Sequence, residues 1–124
     1  MHRRTIRTLT LVAVPLAVVG VAAGTAGAAT GPQDTEAITQ AVTTSEQTAA
    51  VPPADYRVTD VRVADSDTSW AAADLEPTDP AALDPATAVL QHVEGGWRVV
   101  DLGTAQVGCG LATPAVLEDL TLSC

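Results

Sequence analysis

The fold the sequence predicts is a small α+β domain: an N-terminal helix packed on an antiparallel four-strand meander, with a short C-terminal helix stapled by one disulfide. Three observations carry it. Ile38, Ala41 and Val42 recur at helical spacing behind Asp34 and Glu36. Two β-rich runs, 87–93 and 97–102, flank Gly95-Gly96, a strong hairpin signal. Cys109 and Cys124 are the two cysteines of the 124-residue chain, so one intramolecular pairing is open to them. An intermolecular pair or a metal site are the other uses two cysteines could have.

Residues 1–28 predict a secretory signal. Arg3, Arg4 and Arg7 form a positive head, residues 9–23 an uncharged apolar stretch broken by Thr10, Pro15 and Gly20, and Ala26-Gly27-Ala28 a small-x-small cleavage site. The apolar stretch, about 15 residues, falls short of the roughly 20 that span a bilayer, so an uncleaved anchor is the lesser alternative. Cleavage is expected after Ala28, or else after Ala29. Arg3-Arg4 is a poor twin-arginine match, which favours general export. Neither cysteine sits where a lipid anchor would attach, so the product is expected released or wall-associated. Residues 29–33 read as a tether and 34–124 as a single domain, long enough for one modest core. An oxidising compartment permits the disulfide, and a core without phenylalanine benefits from it.

After cleavage all fifteen carboxylates remain, against Arg57, Arg62 and Arg98, which takes the net charge from −9 to −12. Such a field repels nucleic acid and anionic lipid. The expected partner is an extracellular protein or a small molecule, with no membrane contact once the signal is gone. Solvation of an exported chain is the plainer use of the same charge. No motif calls for a cofactor, and the oligomeric state is not encoded in any visible pattern.

Along the mature chain, Asp34 to Ala50 reads as a helix capped by Asp34 and ended by Val51-Pro52-Pro53. Tyr56 to Val63 reads as a strand whose apolar phase changes between Val58 and Val61, which predicts a bulge near Asp60. Asp65 to Thr68 is turn material, and Ser69 to Leu75 a second strand despite the helix-favouring Ala71-Ala72-Ala73. Glu76 to Pro85, with three prolines, is a surface loop. Thr87 to Val93 and Trp97 to Leu102 follow as strands. With Gly95-Gly96 as the loop, His92 faces Val99, Val93 faces Arg98 and Glu94 faces Trp97. Gly103 to Gly110 connects to Pro114, which opens a helix through Asp119 carrying Val116, Leu117 and Leu120 to the core.

The stretch Gly96-Trp97-Arg98-Val99-Val100-Asp101-Leu102-Gly103-Thr104, then Val107-Gly108-Cys109, Pro114, Leu120 and Cys124, resembles the C-terminal part of small exported actinobacterial proteins of unknown function. The Trp-Arg-Val-Val-Asp strand behind an N-terminal helix is also similar to cystatin-like and nuclear-transport-factor-like domains. The resemblance spans residues 34–124 and implies a curved sheet wrapped on a helix, serving binding, dimerisation or occasionally catalysis.

Candidate contact residues are Tyr56, Trp70, His92 and Trp97. His92 is the one histidine left after cleavage; a nucleophile needs such a base, yet no serine carries a signature around it. Tyr56 with Asp60 or Asp101 could form the tyrosine–acid pair that the resemblance to transport-factor-like isomerases suggests. Trp70 and Trp97 could be an exposed pair, or core. Asp65, Asp67, Ser69 and Glu76 fit the spacing of a calcium loop, although Trp70 stands where such a loop turns on glycine. Residues 77–85 form a further contact surface. The pattern as a whole points to an exported binding or interaction module using the sheet face and this proline-rich loop. A small pocket enzyme of isomerase or hydrolase type, or an extracellular protease inhibitor, are the alternatives.

Overall fold

The computed structural model describes residues 30–124; the signal reading and its cleavage site lie outside the described residues. The chain forms α1 (Pro32–Thr43), β1 (Tyr56–Val63), β2 (Trp70–Pro77), β3 (Ala86–Val93), β4 (Gly96–Gly103) and α2 (Pro114–Asp119), with a 3₁₀ turn at Pro53–Asp55. The strands make one antiparallel sheet in the order β1-β2-β3-β4, the meander expected from sequential short strands.

Helix α1 starts earlier and stops sooner than the sequence suggested. Pro32 occupies its first turn, where the missing N–H costs nothing, and Gly31 is the N-cap. Asp34 makes no side-chain cap and only complements the first turn. Part of the expected tether is therefore helix. At the other end, the Thr43 and Thr44 hydroxyls donate to the Gln40 carbonyl at 3.2 and 2.8 Å. Thr48, buried, donates to the Val42 carbonyl at 2.6 Å. Hydroxyl side chains that compete for the last carbonyls give the backbone an exit, and the helix ends there instead of at Ala50.

Two apolar layers sandwich the sheet. Ile38 and Val42 of α1, both 0% exposed, pack on Ala71, Ala73, Ala88 and Leu90. Alanines beneath the helix let its backbone approach closely, so the Ala71–Ala73 run is strand by tertiary demand and not helix by propensity. On the other face Val116 and Leu120 pack with Ala64 and Ala72, edged by Trp70 and Leu122. Among the described residues, both faces of the sheet are thus packed, one under α1 and the other under α2.

Strand alternation is broken twice, and both breaks keep apolar residues inward. Thr59 pairs with Asp74 and Arg62 with Ala72, so Asp60 and Val61 bulge opposite one residue. Asp60 takes φ 47°, a conformation aspartate enters more readily than most residues. The bulge returns Val61 and Val63 to the side already faced by Tyr56 and Val58. A second register shift, Leu90 to Val99 and then Val89 to Asp101, does the same for Leu102 in β4.

The β3–β4 hairpin differs by one residue from expectation. The loop is Glu94-Gly95, with Val93 opposite Gly96, His92 opposite Trp97 and Gln91 opposite Arg98. Gly95 takes φ 96° while Glu94 keeps an ordinary φ, the pattern of a type II turn with glycine in its third position. This register places Trp97 with Val99 on the α1 layer.

The C-terminal segment folds back over the second face. Asp101 accepts from Leu102 N at 2.9 Å and from Gly108 N at 2.8 Å, fixing the departing loop. Thr113 caps α2 by accepting from Val116 N at 3.4 Å, with Pro114 next in line. The Cys109–Cys124 disulfide, with Cα atoms 5.7 Å apart, closes the segment that contains α2.

Candidate functional site

Away from the hairpin tip, the sheet end holds a small cleft. Tyr56 opens β1 opposite Pro77, and Leu75 near the end of β2 faces Ala86 at the start of β3. Thr48 and Val51 from the α1–β1 connector and Leu83 and Asp84 from the β2–β3 loop close the walls around a volume of about 110 Å³. An adjoining cleft of about 320 Å³ shares Val51 and Leu83 and adds Asp55 and Asp79.

The loop above the cleft is anchored. Thr78 donates to the Asp55 carbonyl through its backbone at 2.9 Å and to the Ala54 carbonyl through its hydroxyl at 3.0 Å. Asp79 then turns the chain by accepting from Ala81 N at 3.0 Å, while its carbonyl accepts from Ala82 N and Leu83 N. The aspartate sets its own turn through its side chain.

Tyr56 is the one chemical anomaly here. The residue is 7% exposed, and its buried hydroxyl has no hydrogen-bond partner among the described residues. A hidden polar group without a partner costs about 1–3 kcal/mol; Tyr56 lines the largely apolar cleft, while its hydroxyl is sealed from solvent.

The four candidate contact residues separate into three places. Tyr56 lies at the cleft. His92 and Trp97 meet across the hairpin near the far end of β3, their rings edge-on with centroids 5.1 Å apart at 83°. Six residue steps along the strand separate Ala86 from His92, roughly 20 Å. There His92 is exposed, and with Trp97 it borders a shallow groove that Asp34 and Gln40 of α1 also line. Trp70 lies on the opposite face of the sheet, against the α2 layer. Both tryptophans are half-buried packing residues and form no exposed pair. Neither acid considered for Tyr56 joins it: Asp60 pairs with Arg62 in the bulge, and Asp101 holds the Gly108 turn.

The calcium spacing is dispersed by the fold. Asp67 accepts from both the Ser69 backbone at 3.0 Å and its hydroxyl at 2.6 Å, closing a turn on itself. Glu76 is carried along β2 to the other end of the sheet, where it pairs with Arg57 at 3.3 Å. No cluster of three His, Cys, Asp or Glu side chains able to hold a metal occurs among the described residues. A linear spacing fit for a loop cannot survive when seven of its residues become strand.

What the Asp65–Ser69 turn does instead is receive the C-terminal helix: Asp119 accepts from Ser66 N at 2.7 Å. The Ser66 hydrogen bond holds the Asp119 carboxyl below its ordinary value of 3.8, and the Ser69 hydrogen bonds do the same for Asp67. Because the folded values are lowered, the contribution is complete above the ordinary value and is lost as pH falls through the folded one. Asp119→Asn should therefore shrink the loss of thermal stability as the pH falls below about 4. Melting curves of both proteins check this; an unchanged acid slope would refute the tie.

Arg62 is the residue that sequence reasoning missed. Its side chain is 18% exposed and donates to the Leu120 carbonyl at 2.7 Å and to the Asp60 carbonyl at 2.8 Å. It also pairs with Asp74 at 3.5 Å, which in turn accepts from the Thr87 hydroxyl at 2.9 Å. The only hint was its place beside the expected bulge.

Fold and site together define a class: a disulfide-stapled α+β domain in which one helix crosses a four-strand meander, with an apolar cleft at one sheet end. The chain matches no family model, no curated protein and no solved structure.

Proposed function

We propose that this chain is an exported, non-enzymatic binding module that takes its ligand in the Tyr56 cleft. Export rests on the positive, apolar, small-residue order of residues 1–28 and agrees with the disulfide. The observation that carries the binding reading is the open, largely apolar cleft at the sheet end, walled by Val51, Tyr56, Leu75 and Leu83. The resemblance to exported actinobacterial proteins supports the same compartment.

Two measurements test it. Mass spectrometry of the secreted product should find an N-terminus near Ala29 and oxidised cysteines. Titration of the ¹⁵N-labelled domain with n-butanol and n-propanol should shift the amides of Tyr56, Leu75, Leu83 and Ala86 saturably, and Ala86→Met, which fills the cleft, should abolish the shifts. No response at those amides to either probe would overturn the cleft as the site. Asp84 on the same cleft favours a pocket enzyme as the second reading; turnover of a chromogenic ester that is lost in Asp84→Asn would replace the first. Stoichiometric loss of activity on titrating a serine or cysteine protease would install an inhibitor instead.

A further inference from the structure

We infer that the outer edge of β4 is a docking site for a short, basic, extended peptide segment of another protein, seated between that edge and α1. The site is separate from the Tyr56 cleft and stands whether or not the cleft binds. Backbone phase carries the inference. Among the described residues, β4 has a neighbour on one side only, β3. With Glu94-Gly95 as the loop, Val93 and Gly96 exchange hydrogen bonds, so the next pair, His92 and Trp97, exchanges none. His92 N donates instead to the Ser69 carbonyl at 2.7 Å, and the N–H and carbonyl of Trp97 face the open side. Val99 shares that phase, because its carbonyl accepts from Nε2 of Gln47, which lies outside the sheet, at 3.3 Å. Past the bulge, Leu102 N is already taken by the Asp101 carboxylate at 2.9 Å. The groups left open are Trp97 N–H, the Trp97 carbonyl and Val99 N–H. This donor, acceptor, donor row matches one added strand a few residues long.

A trough runs beside the row. Two grooves of about 500 and 340 Å³ share Ala41, Thr44 and Trp97 as lining. The short α1 side chains leave room for the alternate side chains of an incoming strand, and half-buried Trp97 gives them an apolar flank. Charges in the trough are mixed, with Asp34 and Glu46 against His92 and Arg98. The sign of the partner is therefore set by the whole chain, whose net charge of −9 draws a basic segment and repels an acidic one.

The test titrates the ¹⁵N-labelled full mature domain with acetyl-Lys-Val-Thr-Val-Lys-amide and with its glutamate counterpart. The lysine peptide should shift the Trp97 and Val99 amides saturably, slow their exchange with solvent, and leave the Leu83 and Ala86 amides of the cleft unmoved. The glutamate peptide should bind about fivefold more weakly at low salt, and added salt should narrow the gap. Two further lysine peptides carry N-methyl groups on alternate residues, in opposite phases. Only every second N–H of an added strand faces its neighbour, so one phase should weaken binding about tenfold and the other far less. Ala37→Arg, which fills the larger groove from an exposed helix position, should remove binding and leave the β2 amides in place. Equal losses from the two N-methyl phases, or a response unchanged by Ala37→Arg, overturn the edge site. Equal or tighter binding of the glutamate peptide overturns the basic partner. If the Trp97 and Val99 amides move on concentrating the protein alone, with a dimer in sedimentation, the occupant is a second copy and the proposal falls. Silence of those amides to both peptides also overturns it, while a cleft that still answers n-butanol keeps the other reading intact.

Discussion

Replacing Cys109 with serine should lower the thermal midpoint by about 15 °C. The bridge closes a loop with a sequence separation of 15, worth roughly 3 kcal/mol in the chain-entropy account. Each kcal/mol moves the midpoint of a domain this size by about 4–8 °C. What the loop holds explains why the loss should be large. Helix α2 has six residues, below the length at which a helix persists in water by itself. Its main apolar anchors are Val116 and Leu120, 1% and 0% exposed. Without the bridge, the segment must hold its place through those anchors, the Asp119–Ser66 hydrogen bond and Arg62. Differential scanning calorimetry of wild type, Cys109→Ser and reduced wild type checks this. The two cross-link-free forms should agree, and the indole of Trp70, under α2, should shift more than that of Trp97. A midpoint within about 2 °C of wild type would mean that the bridge contributes almost nothing.

Arg62→Met should cost about 2 kcal/mol, or roughly 10 °C. Methionine keeps the apolar stem but removes the donors that join the bulge, Asp74 and the end of α2. The Leu120 carbonyl would retain the Thr121 hydroxyl at 2.7 Å, which limits the loss. Asp74 would keep Thr87 but lose its cation. Arg62→Lys should recover less than half, because a point charge cannot serve three directions as a planar fork does. Urea unfolding of the three proteins measures both numbers. Full recovery by lysine would show that charge alone matters. In the double variant with Cys109→Ser the losses should exceed their sum, since both restrain the same segment.

Elements with local causes were legible in the sequence. Tyr56–Val63 stands where its β-branched run predicts, and the bulge at Asp60 follows from an apolar phase that could not otherwise stay inward. The same argument, applied to Trp97, Val99 and Leu102, would have revealed the second shift in β4. Consecutive glycines defeated the hairpin register, because Gly95 and Gly96 both tolerate positive φ and the sequence does not say which one the turn uses. Helix α1 ended early through Thr48, a contact six residues back from its hydroxyl to Val42 that periodicity does not register. The candidate site was the least legible. Tyr56 stood out as a residue, but its cleft is assembled from segments far apart in sequence, and Asp84 gained its place only through the folding of the proline-rich loop.

The bulge at Asp60 has a further effect on what the outermost strand can do. Among the described residues, β1 has a neighbour on one side only, and a row of unpaired backbone groups invites another extended chain to zip alongside. Here the row is bent midway by a left-handed aspartate, and near one end Val63 N is already taken by the Thr30 hydroxyl at 3.0 Å. An incoming strand would lose step after three or four residues, so this border of the molecule resists templated, fibril-like growth.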